Sequence, residues 1–426
     1  MRLLITFIIF FSHSVFAYSQ NGENIFIQDS IHVVRLTFSQ PHYWDTLVAR
    51  YEAAHDVKSQ DIEDNAEPLM ANVEIDGQKL DSIGVKLKSN LSYSIPSNKK
   101  PMKLYFNGFV KGRKMDGLLR LNLSNEFPDP SMLRNTVAYT ILREAGVRAP
   151  RTAFAKVYVN NKYKGLYVMI EQVDKSFFTR HFKYNTGELI KGLAGYLYWF
   201  PNDTISFKRN YEIKRSNSPE AWSRLTEFAR KLNTTTAENF HDSLKSIFDF
   251  DSYIKVFAAD IIFNNWDSYF YGQNYYIYRD SAEGKYFYLP WDYNVSLNND
   301  DVSGSAYTIL PGGANDDIFQ LPLPSKVVNN EVLKKKYLQE LYRINQFMSI
   351  DSLDKFIRKM HNLITPALKS DTGRGMSMTQ YERSLNFRVE TPEFDFEGLL
   401  TFIRYRHDQI NKMLKEAGFI NEADKK

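Results

Sequence analysis

Residues 260–296 read DIIFNNWDSYFYGQNYYIYRDSAEGKYFYLPWDYNVS, and the reading of the whole chain starts there. Tyr275–Tyr278 and Lys285–Leu289 are runs rich in Tyr, Phe and Ile, residues that suit a pleated, half-buried surface. Between them lies Ser281–Gly284, a polar turn ending in Gly, so the segment predicts a β-hairpin. A hairpin brings its open ends together on strands about 5 Å apart. Asn274 enters that open end, Asp292 leaves it, and Asp267 stands seven residues before Asn274. Three oxygen-bearing side chains are therefore expected to converge on one point. Carboxylate and amide oxygens suit a hard cation such as Mg2+, which is usually held together with substrate phosphates.

An Asp…Asn loop, a hairpin and a second Asp also form the layout that phosphoryl transfer uses. One carboxylate accepts the proton of the attacking hydroxyl, and further oxygens hold Mg2+ against the phosphates. On this reading Asp267 is the candidate base. Asn274 and Asp292 are candidate metal ligands, with Asp267 sharing the metal. The competing reading is structural: Asp267 caps a turn after Trp266, and Asp292 simply follows a buried Pro-Trp pair. Spacing alone leaves both open. Other chemistries lack their parts. The eight His residues show no HExxH or paired spacing, and the chain has no G-x-S-x-G elbow, Walker A motif or G-x-G-x-x-G loop.

The N-terminal MRLLITFIIFFSHSVFAYSQ has Arg2, an apolar run Leu3–Phe11 and the sequence Val15-Phe16-Ala17, the pattern of a signal peptide cleaved after Ala17. The expectation is a secreted, periplasmic or cell-surface protein with no transmembrane segment in its mature form. Zero cysteines exclude disulfides, thiolate zinc, thiol nucleophiles and a lipid-anchor Cys. A net charge of +4 gives no sign of nucleic acid as a partner. The 27 Tyr and 31 Phe read as sheet and core packing, with polysaccharide stacking as the alternative.

Along the chain, Ile31–Phe38, Glu67–Ile75, Ser82–Lys88, Lys100–Phe106 and Leu118–Leu123 read as strands, and Pro41–His55 as a short helix. Lys103, central in its run, is either a solvated edge residue or a phosphate-pairing Lys on a small-lobe sheet. Asp129-Pro130-Ser131 opens a helix that Gly146 stops, with Arg134 and Arg143 expected on its solvated side. Phe154–Asn160 and Gly165–Ile170 predict a hairpin. Its exit, residues 169–174 (MIEQVD), reads either as a hinge whose backbone meets a nucleotide base or as an ordinary strand end. Gly187–Lys191 and Tyr211–Lys214 are short strands near that connector. From Pro219 the period is helical, through Asp251–Asn264 and, after a polar loop Asn298–Asp317, to Glu397–Ala417. In that loop Asn299, Asp301 and Ser303 faintly resemble a calcium loop, but Leu310 stands where its Glu belongs. Strands first and helices second predict an α+β, bilobal architecture. The divisions expected are a signal peptide (1–17), an extension with a first strand (18–66), a β-rich lobe with connector (67–215) and a helical lobe carrying the hairpin (216–420).

Several separated segments in this order resemble the CotH kinase-like family of spore-coat type. They are residues 99–182 (KKPMKLYF…LYVMIEQVDKSFFTRHF), GELIKG, NNWDSYFYGQNYYIYRDSAEGKYFYLPWDYN and FIRYRHDQINKML, within roughly residues 70–415. The resemblance implies an atypical protein-kinase-like fold that binds ATP with Mg2+ or Mn2+ and phosphorylates protein Ser/Thr. By it, Asp267 of N-x-D and Asp292 of P-W-D match the family's essential acids, and Asn274 the Asn before the Tyr-rich strand. Lys103, and Glu171 and Val173 of the Y-x-x-x-E-x-V-D motif, match positions expected beside the nucleotide. Two departures stand out. Asn294 replaces the second acid of P-W-D-x-D, and Lys88-Ser89-Asn90 stands where an Arg-Gly-Asn loop is expected.

Two functions follow. One is an exported Mg-ATP-dependent protein kinase acting on a cell-surface or extracellular protein. The other is an inactive surface scaffold or adhesion protein that binds protein or polysaccharide. ATP is scarce outside the cytoplasm and Asn294 removes a charge, which favour the second; Asp267, Asn274 and Asp292 together favour the first.

Overall fold

The computed structural model describes residues 21–56, 66–201, 204–299, 306–313, 316–349 and 351–420. The signal-peptide reading and the loop residues Asp301 and Ser303 lie outside them. Mixed helix and strand are present as expected, and the strands lead the chain. They are β1 (Ile31–Thr37), β2 (Leu69–Ile75), β3 (Gln78–Leu87), β4 (Met102–Tyr105), β5 (Arg120–Ser124), β6 (Thr152–Val159) and β7 (Lys162–Glu171).

These strands do not form an open small-lobe sheet. They close into a barrel in the order β1-β2-β3-β4-β5-β7-β6. The alternation written in β2, with Leu69, Ala71, Val73 and Ile75 buried, sends every second residue to the barrel interior. Asp76 and Gly77 both take positive φ, as the tight β2–β3 turn requires. The strand placed by sequence in an N-terminal extension closes the barrel. β1 pairs antiparallel with β2 and parallel with β6, Val34 facing Val157. Closure removes the exposed sheet edge that a seven-stranded open sheet would leave.

The helices are α1 (Tyr43–Asp56), α2 (Arg134–Glu144), α3 (Lys175–His181), α4 (Thr204–Arg209), α5 (Ala221–Thr234), α6 (Ala237–Leu244), α7 (Phe250–Phe263), α8 (Pro322–Val328), α9 (Glu331–Met348), α10 (Asp351–Lys369), α11 (Met378–Arg383) and α12 (Leu399–Glu416). Helix α7 is buried along most of its length, which its apolar sequence requires, and packs on α9. No described helix is long and apolar enough to cross a membrane.

The solvated side expected for Arg134 is not observed. Arg134 is fully buried, its guanidinium 2.7 Å from the Asp129 carboxylate and 2.7 Å from the Glu397 carbonyl. Arg143 is half-buried and donates to the Pro150 carbonyl. The Asp129 carboxylate also accepts the N–H groups of Ser131, Leu133 and Arg134, so it neutralises the cation and caps the helix at once.

The hairpin forms as expected from β10 (Tyr275–Arg279) and β11 (Tyr286–Pro290), but it does not stand alone. β8 (Glu188–Gly192) and β9 (Tyr211–Arg215), assigned by sequence to the connector, complete a four-stranded sheet ordered β11-β10-β8-β9. Ile277 faces Ile190 and Tyr276 faces Lys191, which brings the end of β8 beside the open end of the hairpin.

Candidate active site

The site begins at the end of α7. Asn264 closes the helix in the left-handed conformation (φ 52°), a role Asn tolerates. Its side chain then holds two distant segments: Nδ2 donates to the Asn298 carbonyl at 2.9 Å, and Oδ1 accepts the Tyr307 N–H at 2.9 Å. From α12 the buried Arg406 donates to the Ile261 and Ile262 carbonyls, placing a cation at the helix C-terminus. The helix end is therefore rigid, and Asn265-Trp266-Asp267 leaves it in a defined direction.

Asp267, Asn274 and Asp292 line one cleft of about 200 Å³. Asn274 Nδ2 donates to the Asp267 carbonyl at 2.8 Å, which turns its Oδ1 the other way. Gln273 Nε2 donates to the Asp267 carboxylate at 2.5 Å. Across the hairpin's open end the Trp291 N–H donates to the Asn274 carbonyl at 3.1 Å, extending the Tyr275–Pro290 register by one pair. Asn274 and Asp292 both have left-handed backbone, with φ of 55° and 53°. Asn and Asp enter this region more readily than other side chains, and surrounding contacts fix them in it.

Those contacts are visible for Asp292. Its N–H donates to the Tyr139 hydroxyl at 2.9 Å, and the next N–H, of Tyr293, donates to Asn135 Oδ1 at 2.8 Å. Asn135 and Tyr139 are one turn apart on α2 and so share a face. Asn135 Nδ2 in turn meets both carboxylate oxygens of the buried Glu126, at 3.2 and 3.1 Å.

Burial dominates the electrostatics. It pushes the Asp267 carboxyl up to about 6, against the Gln273 hydrogen bond and with added repulsion from Asp292. It raises Asp292 as well, opposed by the nearby Lys88. Glu126 is pushed up to about 8, again by burial first. Lys88 and Lys191 line the same cleft as the two acids. Lys88 Nζ stands 5.6 Å from the centre of the Trp291 ring and 3.4 Å from Asn122 Oδ1.

The three residues that the resemblance placed beside a nucleotide do not line this cleft. Lys103 is neither solvated nor at an edge. It sits buried in β4 between Lys86 and Asn122 on the flanking strands, with Tyr105 beside it. Glu171 is buried and held by Arg151 at 2.7 Å and Arg180 at 2.6 Å. Val173 is buried in an apolar cluster with Phe177, Phe178 and Tyr276. None of the three is among the residues lining the cleft; Ile170, just before Glu171, lines a small recess behind it together with Tyr139 and Asp292. Conversely, sequence reading did not pick out Lys191, Glu126, Asn135 or Tyr139. Lys191 had a usable signal, a cation at the end of a strand that precedes a glycine. Asn135 and Tyr139 had only an i, i+4 polar pair on a helix whose apolar face is no guide to what it meets, and Glu126, in the loop before that helix, had no signal.

Asn294, where the resemblance leads one to expect an acid, is buried and donates Nδ2 to the Phe127 carbonyl at 3.2 Å. Among the described residues no three His, Cys, Asp or Glu side chains form a ready metal cluster. Among the oxygen-bearing side chains that line the cleft are the carboxylates of Asp267 and Asp292 and the amide of Asn274. That set fits Mg2+, which is commonly held by one or two carboxylates and completed by phosphate oxygens and water.

The sequence profile of the CotH kinase protein family matches residues 89–410. The chain belongs to this family. The Bacillus subtilis inner spore coat protein H is 23% identical over 298 residues, 66% of this chain and 77% of that one. Invasin CotH3 of Rhizopus delemar is 22% identical over 278 residues, covering 61% of this chain and 45% of its own. The CotH chain described here thus spans under half of that fungal relative. Among solved structures, the Helicobacter pylori proinflammatory kinase CtkA aligns with 67% of this chain and 98% of its own at 13% identity. Its TM-score of 0.29 is too low to argue fold from.

Proposed function

We propose that this CotH-family chain is a kinase-like phosphotransferase that takes Mg-ATP into the cleft and passes the γ-phosphate to a protein Ser or Thr hydroxyl. The observation that carries the reading is that Asp267, Asn274 and Asp292 meet Lys88 and Lys191 in one cleft. Carboxylates there suit a metal, and the two cations suit the phosphates that a metal would bridge. Asp267 takes the proton of the acceptor hydroxyl; the hydroxyl oxygen then bonds to the γ-phosphorus as the bond to the β–γ bridging oxygen breaks, and ADP leaves. Its carboxyl, raised to about 6, is ionised at neutral pH yet basic enough to hold a proton. Asp292 and Asn274 would hold the cation, which neutralises charge developing on the phosphates when bound. In this reading the barrel forms most of a nucleotide-side lobe (67–215), and residues 216–420 form a helical lobe. Residues 1–17 direct export, so the acceptor is a surface or extracellular protein.

A second reading has its own observation. Asn294 bonds to the Phe127 carbonyl and adds no charge to the cleft, which suits a chain that keeps the fold as a surface scaffold. One experiment separates the two. The purified chain is incubated with γ-labelled ATP and Mg2+ or Mn2+, beside Asp267→Ala and Asp292→Ala. Label transfer lost by at least about 100-fold in both variants supports the kinase. No transfer, and no rise in melting temperature with nucleotide and metal, overturns it in favour of the scaffold.

A further inference from the structure

A buried carboxylate lies beneath the cleft without lining it. Asp260, on the last turn of α7, is 2% exposed. Its Oδ1 accepts Asn265 Nδ2 at 3.0 Å and the Tyr293 hydroxyl at 2.8 Å. The Ser268 hydroxyl donates to the Asn265 carbonyl at 2.9 Å. The Asp260 main-chain carbonyl takes the Asn265 N–H at 2.9 Å. These partners are not scattered. Asn265, whose carbonyl also accepts the Ser268 hydroxyl, leads into Asp267, and Tyr293 follows Asp292 directly. One carboxyl therefore holds, from below, the neighbours of both acids in the cleft.

The hairpin cannot do this alone. Its ladder sets Asn274 against Trp291, but Asp267 lies before a separate turn and Asp292 beyond the last ladder pair. Tyr293 is also gripped at its N–H by Asn135 and packed edge-on against Phe263 and Tyr139. Its hydroxyl thus has little freedom to follow a moving partner. Burial raises the Asp260 carboxyl to about 7, so the position costs stability that an apolar residue would not cost. A group kept at such a cost, bonded only to residues beside the two acids, is placed to orient them.

We propose that Asp260 is a positioning residue whose carboxyl ties the Asp267 loop to the Asp292 loop and so sets the spacing of the two cleft carboxylates. The inference rests on the reading of the cleft as a metal–nucleotide site. It adds the residue that holds that site to the tolerance of about 0.5 Å such constellations need.

The test uses the full chain with Asp260→Ala, Asp260→Asn, Tyr293→Phe and the Asp260→Ala/Tyr293→Phe double variant. Amide hydrogen exchange is read without ligand in residues 264–268 and 292–294, and Mn2+ affinity in the presence of ADP. Asp260→Ala should speed exchange in both loops together by at least about 10-fold, leaving the barrel strands unchanged, and weaken Mn2+ binding about 10- to 100-fold. Asp260→Asn, which keeps an acceptor oxygen in place, should restore both to within a few-fold of the parent. Tyr293→Phe should add little in the Asp260→Ala background, since the two act through one bond. Exchange that rises everywhere, rises in one loop only, or does not change overturns the inference. A parent chain that binds no Mn2+ with ADP overturns the metal–nucleotide reading instead, while the exchange result still decides the role of Asp260.

Discussion

At the scale of single residues, the cleft joins left-handed backbone to carboxyls that burial makes harder to ionise. Asn274 and Asp292 sit on left-handed backbone, the Asp267 and Asp292 carboxyls are half-buried in the cleft, and Glu126, outside its lining, is fully buried beside Asn135. Glu126 offers the clearest consequence, because its carboxyl moves from 4.5 to about 8 on folding. The folded chain then binds the proton more tightly than the unfolded one. The stability this contributes is complete below about 4.5 and is lost as pH rises toward about 8. Glu126→Gln, neutral at every pH and still able to accept from Asn135, should not show that loss. Urea unfolding at pH 5, 7 and 9 should show the variant gaining on the parent by on the order of 1 kcal/mol for each pH unit crossed in that window. Parallel curves for the two proteins would remove the buried charge from the account. Of these residues the sequence made Asp267, Asn274 and Asp292 legible, because a hairpin brings its flanks together by local geometry. Glu126 was not legible, because its partner Asn135 and the nearby Asp292 come from other elements.

At the scale of elements, α2 and β8 complete a site that the hairpin only begins. Helix α2 presents Asn135 and Tyr139 to two successive N–H groups, those of Tyr293 and Asp292, and so stabilises the turn in which Asp292 is left-handed. Tyr139→Phe deletes one hydroxyl and leaves the buried Asp292 N–H without that acceptor. The expected cost is about 1–3 kcal/mol of stability. Phosphoryl transfer should fall by about 10-fold or more as the Asp292 loop relaxes. A urea midpoint and a transfer rate both equal to the parent's would show that the grip is incidental. The helix itself was foreseen from its period and its Asp129 opening, but the expectation that Arg134 faced water failed. A charged residue on a helix has the same spacing whether it meets solvent or a buried carboxylate, so periodicity could not decide. The connector strands failed differently: β8 and β9 were recognised as strands, but pairing with β10 is a long-range choice that no local pattern carries.

At the scale of the whole molecule, the barrel and the helices after it are joined by a buried ion pair that does not line the cleft. Lys99 Nζ lies 2.7 Å from Asp371, both side chains fully buried. The same carboxylate accepts the N–H of Leu166 in β7 and of Gly373, each at 2.9 Å, and Ser97 donates to the Gly373 carbonyl at 2.6 Å. The segment from Ile95 to Lys99 continues the loop whose residues 89–92 line the cleft, so this join also steadies one wall of the site. Asp371→Ala strands a buried ammonium and two N–H groups, for an expected cost of about 3–5 kcal/mol. Lys99→Met leaves a carboxylate that still has both N–H donors, and should cost roughly half as much. Equal or reversed costs in urea unfolding would show that the pair does not hold the two parts as described. Barrel closure and this join belong to the same class of fact. The chain by itself determined its strands and helices, the convergence of Asp267, Asn274 and Asp292, and the motifs that place it among CotH proteins, because period, turn residues and short spacing act locally. Only the tertiary structure decided that β1 closes a barrel against β6, that Lys88 and Lys191 face the three oxygens, and that Lys103, Glu171 and Val173 do not line the cleft. Those outcomes depend on which buried surfaces and unpaired polar groups find each other across tens to hundreds of residues, and that competition is settled by packing the whole chain at once.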